Sequence, residues 1–125
     1  MSYQAQYERW LHSPALSQPE KDELAALSHN AGEIEDRFFS LLQFGTAGLR
    51  GVMGVGLRRM NVHVIRHATQ AFANVILAEG KAFAAQGVAI CYDCRVHSQE
   101  FARAAAEVMA GNGIPVRLFE AMRPT

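Results

Sequence analysis

This chain has no net charge to spare, because twelve Lys+Arg stand against twelve Asp+Glu. That balance offers neither the basic footprint of a nucleic-acid binder nor an acidic disordered tail. Cysteine is scarce: Cys91 and Cys94 alone do not make the disulfide framework of a small secreted domain. Nowhere do eighteen apolar residues run together, and the opening MSYQAQYERWLHS lacks a basic stretch ahead of an apolar core. The sequence therefore offers no membrane span and no signal peptide, and a cytoplasmic location is the expectation. There is no internal repeat and no low-complexity tract. No G-x-x-x-x-G-K-[ST] occurs, and Gly51-x-x-Gly54-x-Gly56 has the wrong order for G-x-G-x-x-G, so a standard nucleotide loop is not indicated.

What is present is a chain of 125 residues, 50% hydrophobic, enough for one domain with a real core. Its charge is unevenly placed. Residues 1–43 carry seven acids and three bases, residues 44–61 three bases and no acid, and residues 62–125 five acids and six bases. The acid-free segment, FGTAGLRGVMGVGLRRMN, also holds five of the ten glycines. Glycine lets backbone amides approach a ligand, and arginine offers a planar fork of donors suited to phosphate. One reading is an anion site of backbone N–H groups with Arg50, joined by Arg58 or Arg59. The other is a hairpin with glycine turns and solvated arginines.

Local signals organise the rest. Tyr7, Trp10 and Leu11 predict a helix over 3–11, which Pro14 helps end. Ser17-Gln18-Pro19-Glu20 has the form of a capping box opening a second helix with Leu24 and Leu27 inward. After the break at Asn30-Ala31-Gly32, Ile34, Phe38 and Leu41 propose a third. Asn61 is placed to cap a long helix with Ile65, Ala68, Phe72 and Ile76 inward, ending near Gly80 or Gly87. Val88-Ala89-Ile90-Cys91-Tyr92 reads as a strand buried on both faces. Ser98 then caps a helix with Phe101, Ala105 and Val108 inward, stopped at Gly111-Asn112-Gly113, and 115–119 is another strand. Strand, helix and strand make a βαβ unit, so the fold is α/β: a sheet, at least partly parallel, covered by helices. Ligands of such sheets bind beyond the carboxyl ends of the strands, where Tyr92-Asp93-Cys94-Arg95-Val96-His97 lies.

Other constellations have plain alternatives. Cys91-x-x-Cys94 has dithiol spacing, but a strand thiol such as Cys91 is ordinarily a small core hydrophobe. With His97 it supplies three zinc donors where a closed site needs four. His63 and His67 stand at i, i+4 without the Glu of H-E-x-x-H, and packing or surface roles are the ordinary account. Asp93 and Arg95 read equally as ligand contacts or as a structural ion pair.

Four stretches together resemble the N-terminal domain of the phosphoglucomutase/phosphomannomutase family, the α-D-phosphohexomutases. They are Phe44-Gly45-Thr46-Ala47-Gly48-Leu49-Arg50-Gly51; Met53-Gly54-x-Gly56 with Arg59-Met60-Asn61; Tyr92-Asp93-x-Arg95; and Gly113-Ile114-Pro115-Val116 leading to Arg123-Pro124-Thr125. The helical lead-in and the TAGLRG wording are most similar to the phosphoglucomutase-2-like and phosphopentomutase-type branch. The resemblance implies a three-layer α/β/α domain I with a mixed, partly parallel sheet over 44–125, after a helical extension over 1–43. It implies phosphoryl transfer between the 1-position and the terminal hydroxyl carbon of a sugar phosphate, through a phosphoserine and a sugar bisphosphate, with Mg²⁺. Arg50 matches the family's active-site arginine; Gly45, Thr46, Gly48, Gly51, Arg59, Asp93 and Arg95 are expected around the substrate.

The family's nucleophile lies in a Thr-Ala-Ser-His-Asn-Pro-type loop after Arg-Pro-Thr, beyond Thr125, so domain I is expected to be truncated and inactive alone. The metal ligands and the remaining domains, its expected partners, are likewise not among these residues. Ser28-His29-Asn30 imitates that loop, but Ala31 replaces the proline and the order is reversed; polar residues ending a helix are the bland account. Two rival expectations are a stand-alone phosphate- or sugar-phosphate-binding module and a dithiol oxidoreductase. The choice among glucose, mannose and a pentose stays open.

Overall fold

The structure, a computed structural model, describes residues 2–45, 48, 49, 51–91 and 97–118. The chain forms two compact units, residues 1–64 and 65–125. No helix among the described residues is long and apolar enough to cross a membrane.

The first unit is built from three short helices and a hairpin. Helix α1 is Tyr3–Leu11, with the Ser2 side chain accepting from the Ala5 amide, as the spacing of its apolar residues predicts. Helix α2 is Gln18–Ala25, and its capping box forms in both directions: Ser17 Oγ accepts from the Glu20 amide, and Glu20 Oε1 accepts from the Ser17 amide at 2.9 Å. Helix α3 is Ala31–Phe38, opened by the Asn30 side chain accepting from the Glu33 amide, so the polar run Ser28-His29-Asn30 serves as a helix start.

The first core gathers Tyr7, Leu16, Leu24, Ile34, Phe38 and Val55. Phe38 lies edge-on to both Tyr7 and Trp10, and the Tyr7 hydroxyl donates to the Leu24 carbonyl at 2.6 Å. Burial, and next the nearby Glu8, raise the Tyr7 pKa. Leu41 departs from expectation: the helix stops at Phe38, so the i+7 stripe does not reach Leu41, which is exposed. Beyond it, β1 (Phe44–Gly45) pairs antiparallel with β2 (Gly48–Leu49).

Helix α4, Val62–Ala78, follows Asn61, whose Oδ1 accepts from the Val64 amide at 3.0 Å. In the second unit come the single turn α5 (Lys81–Ala84), β3 (Val88–Ile90), α6 (Ser98–Gly111) and β4 (Val116–Leu118). Strands β3 and β4 run parallel, Val88 beside Val116 and Ile90 beside Leu118, which makes the expected βαβ unit. Its core is Ala73, Ile76, Ala84, Met109 and Ile114, with Val88 and Val116 packed on it. Gln70 and Asn112 exchange side-chain hydrogen bonds at 3.0 and 2.8 Å, joining α4 to the C-cap of α6.

Several details differ from the sequence reading. The buried stripe of α4 runs through Ala73 and Ile76, and Phe72, one step around the helix from Ala73, is exposed. Ala73 is fully buried in the cluster with Met109 and Ile114, so packing there decides the phase over the size of the neighbouring ring. Strand β3 ends at Ile90 and Ala89 is exposed, so this strand is not buried on both faces. Cys91 consequently follows the strand and is exposed, where a buried thiol was expected. The N-cap of α6 is His97, in the left-handed conformation with φ 67°, and Ser98 is already helical. Along α6 the most buried residues are Ala102, Ala104 and Met109, a broader face than Phe101, Ala105 and Val108 alone.

Candidate functional site

The glycine segment divides at Gly51. On its N-terminal side the hairpin pairs Gly45 with Gly48, next to a two-residue tip. Glycine at both positions leaves the backbone beside the tip free of side chains, the condition for amides to approach an anion. The tip residues Thr46 and Ala47 lie outside the described residues, as do Arg50, Asp93, Cys94 and Arg95. Gly51 packs against Leu42, whose Cδ1 would lie 2.8 Å from a Cβ built there.

On its C-terminal side the segment is closed on itself and on the helices. The Gly54 amide donates to Met60 O, Met60 N to Val52 O, Arg58 N to Arg37 O and Arg59 N to Gly56 O. The Val55 amide donates to Glu23 Oε2 at 3.0 Å. Asn61 is buried, and its Nδ2 reaches the carbonyls of Gly54 and Gly56, both at 2.9 Å, while its Oδ1 caps α4. Amides so committed cannot also receive a phosphate. The amides of Gly54, Val55, Arg58, Arg59 and Met60 are thus spent within a folded knot rather than open as a cradle.

The glycines there serve that knot. Gly56 has φ 137°, and a Cβ would come within 3.0 Å of Arg37 Cβ and 3.1 Å of Arg37 O. Gly54 has φ 154°, and its Cβ would lie 3.3 Å from Glu23 Oε2. Both permit the backbone to cross close over the helices, at conformations side chains rarely take.

The arginines follow the same pattern. Arg59, expected near the substrate, is buried, with Nη2 on Asp36 Oδ2 at 2.6 Å and Glu33 Oε1 at 3.4 Å. Arg58 donates to Asp36 and lies over the Phe39 ring, 4.2 Å from its centroid. Neither is a freely solvated arginine, so the simple hairpin alternative needs the same correction. The acids came from the lead-in: the segment has none of its own, and α2 and α3 supply Glu23, Glu33 and Asp36.

The electrostatics agree with this geometry. The Arg59 hydrogen bond, and then its charge, hold the Asp36 carboxyl below its ordinary value. Burial alone would raise Glu23, but the Val55 amide and Arg37 outweigh it and lower its pKa. Burial likewise opposes, and the Ser17 amide with His63 overcomes, in lowering Glu20. Burial would lower Arg37, yet hydrogen bonds to Glu23 and Glu33 raise it. His63 Nε2 meets Glu20 Oε2 at 2.9 Å and packs edge-on to Trp10, which accounts for one member of the His63/His67 pair as packing. With Glu20, Glu23, Glu33 and Asp36 engaged by guanidinium, imidazole or amide groups, these carboxylates do not offer the open oxygen set that Mg²⁺ requires.

Sequence reasoning did not find Glu23, Arg37, Glu33 or Asp36. One local signal existed, the Glu33-x-x-x-Arg37 spacing on a single helix face, which forms a contact of 3.0 Å. Nothing local marks Glu23 as the partner of an amide 32 positions away.

Residues 41–125 match the family profile described as "Phosphoglucomutase/phosphomannomutase, alpha/beta/alpha domain I". The chain belongs to this family. It is 37% identical over 127 residues to the phosphopentomutase of Mus musculus, an alignment covering 97% of this chain and 20% of that one. It is 40% identical over 98 residues to the phosphoribomutase of Saccharomyces cerevisiae, covering 76% and 15% respectively. Against the phosphomannomutase of Mycoplasma pneumoniae it is 34% identical over 120 residues, covering 94% and 21%. The chain spans about a fifth of the length of the curated relatives it matches. No solved structure matches. The family's mixed α/β character agrees with a helix-rich chain containing a parallel two-stranded sheet.

Proposed function

We propose that this chain serves as domain I of a sugar-phosphate mutase, moving a phosphoryl group between the 1-position and the 6-position of a hexose or the 5-position of a pentose. The observation that carries this reading is the matched family domain, with support from a glycine pair, Gly45 opposite Gly48, in its first two strands. The relatives' names include a phosphopentomutase and a phosphoribomutase, which favours a pentose phosphate among the substrates.

In this reading residues 1–43 are a helical lead-in and residues 44–125 the domain proper, completed in the parent polypeptide as a three-layer α/β/α structure. Phosphoryl transfer asks the protein mainly for positioning and charge neutralisation. Arg50 supplies the fork of donors that meets the transferring group, with Gly45, Thr46, Gly48 and Gly51 shaping the backbone around it. Asp93 and Arg95 follow β3 in the sequence, and the carboxyl ends of parallel strands are where ligands of α/β sheets bind. Arg59 we assign to holding the segment, since Asp36 and Glu33 occupy its guanidinium. Mg²⁺ and a sugar bisphosphate activator belong to the parent, with the metal ligands and the phosphoserine outside these residues.

The test is mutase turnover of the parent polypeptide with glucose 1-phosphate and ribose 1-phosphate, primed by the bisphosphate. Arg50→Lys keeps the charge but loses the fork, and it should lower turnover by roughly 10²–10³ with little change in stability. An unchanged rate removes Arg50 from the chemistry. Residues 1–125 alone should show no turnover, and measurable activity would contradict the division of labour proposed.

A further inference from the structure

We propose that the helices ahead of the matched domain hold its glycine segment through a side-chain clamp on a single residue, Val55, with Glu23 and Arg37 as positioning residues for the hairpin. Val55 N–H donates to Glu23 Oε2 at 3.0 Å, Val55 C=O accepts from Arg37 Nη1 at 3.0 Å, and Arg37 Nη1 also donates to Glu23 Oε2 at 2.7 Å. The pair thus presents an acceptor and a donor side by side, as a neighbouring β-strand would. It satisfies both backbone groups of a residue whose side chain is buried in the first core.

The clamp is braced. Arg37 Nε donates to Glu33 Oε1 at 3.0 Å, so the guanidinium cannot swing off Val55 without also leaving Glu33. Glu33 is shared with Arg59, which is in turn held by Asp36. From Val55 the chain runs back through Gly54, bonded to Met60, and Val52, whose carbonyl accepts from Met60, to Gly51 and the hairpin. A shift at Val55 therefore disturbs the Val52, Gly54 and Met60 hydrogen bonds through which the chain leads back to Gly51. Both clamp residues lie before residue 41, where the family profile begins, while the mouse phosphopentomutase aligns over 97% of this chain, lead-in included. The consequence for turnover rests on the mutase reading; the clamp itself does not.

Two designs separate a clamp from an ordinary ion pair. The double exchange Glu23→Arg with Arg37→Glu keeps opposite charges together but sets a guanidinium against the Val55 N–H. Glu23→Gln discards the charge yet keeps an amide-accepting oxygen. In the parent polypeptide we would measure hydrogen–deuterium exchange at residues 52–60 together with kcat and KM for the sugar phosphate, using exchange in α1 and α3 to verify that the first unit stays folded. Glu23→Ala and the double exchange should each speed exchange at Val55 by roughly tenfold or more, the loss of a charge-assisted hydrogen bond. Both should raise KM several-fold, whereas Glu23→Gln should stay within about threefold of the original protein in both readouts. Protection restored by the double exchange, or retained in Glu23→Ala, would overturn the clamp. Faster exchange with kcat and KM both unmoved would overturn its positioning role. If the unaltered parent shows no mutase turnover, the functional reading fails, and the exchange data alone uphold or reject the clamp.

Discussion

The two halves of one glycine- and arginine-rich segment are held differently. Before Gly51, Phe44–Gly45 pairs with Gly48–Leu49 and sets two glycines opposite each other; in 52–61 similar residues fold onto a set of carboxylates from two helices. Glycine permits close approach and arginine binds oxyanions, but neither residue specifies whether the oxyanion is a phosphate or the protein's own Asp and Glu. The lesson concerns inventory: a basic segment without acids must be read with the acids that other elements bring to it.

The contrast is broken most forcefully from beneath. Phe38 is 1% exposed between Tyr7 and Trp10, and Phe38→Ala should cost roughly 3–5 kcal/mol in urea unfolding followed by the single tryptophan, Trp10. Asn61→Ala comes next. It removes the α4 cap and the side-chain donor to the carbonyls of Gly54 and Gly56, so a loss of roughly 2–4 kcal/mol is expected in the same assay. Gly56→Ala forces a Cβ into φ 137° and against Arg37 O, which should destabilise by roughly 1–3 kcal/mol. By comparison, Gly113→Ala, at φ 77° with open space around it, meets only the backbone strain and should cost less.

Acid gives the smallest and most graded effect. Glu20, Glu23 and Asp36 all have folded-state pKa values below their ordinary ones, and all belong to the first unit. Their contribution is fully present above about pH 5, and is lost as pH falls below about 4 through the lowered folded values. The urea midpoint read by Trp10 should therefore hold between pH 7 and about 5 and decline below about 4. A midpoint that rises on acidification would contradict the network.

Much of the fold was legible because its signals are local. The capping box at Ser17 and Glu20, the cap at Asn61 and the parallel strand–helix–strand run each sit within a few residues or one familiar unit. The phase of α4 was legible only in part: Ile76 is buried as expected, but Phe72 fits a helical stripe as well as Ala73 does, and only packing with Met109 and Ile114 selects Ala73. Cys91 was misplaced because an apolar run does not mark where strand pairing stops, which here is Ile90. At the site, the hairpin glycines and the family motifs could be read from spacing. The roles of Glu23 and Arg37 could not, because they join positions 32 and 18 residues apart with no local signature.

The division of the segment has a direct test in the protein labelled with ¹⁵N-glycine, titrated with glucose 1,6-bisphosphate. The amide signals of Gly45, Gly48 and Gly51 should move saturably while those of Gly54 and Gly56 stay in place. Movement of Gly54 and Gly56 with the three hairpin glycines unmoved would contradict it.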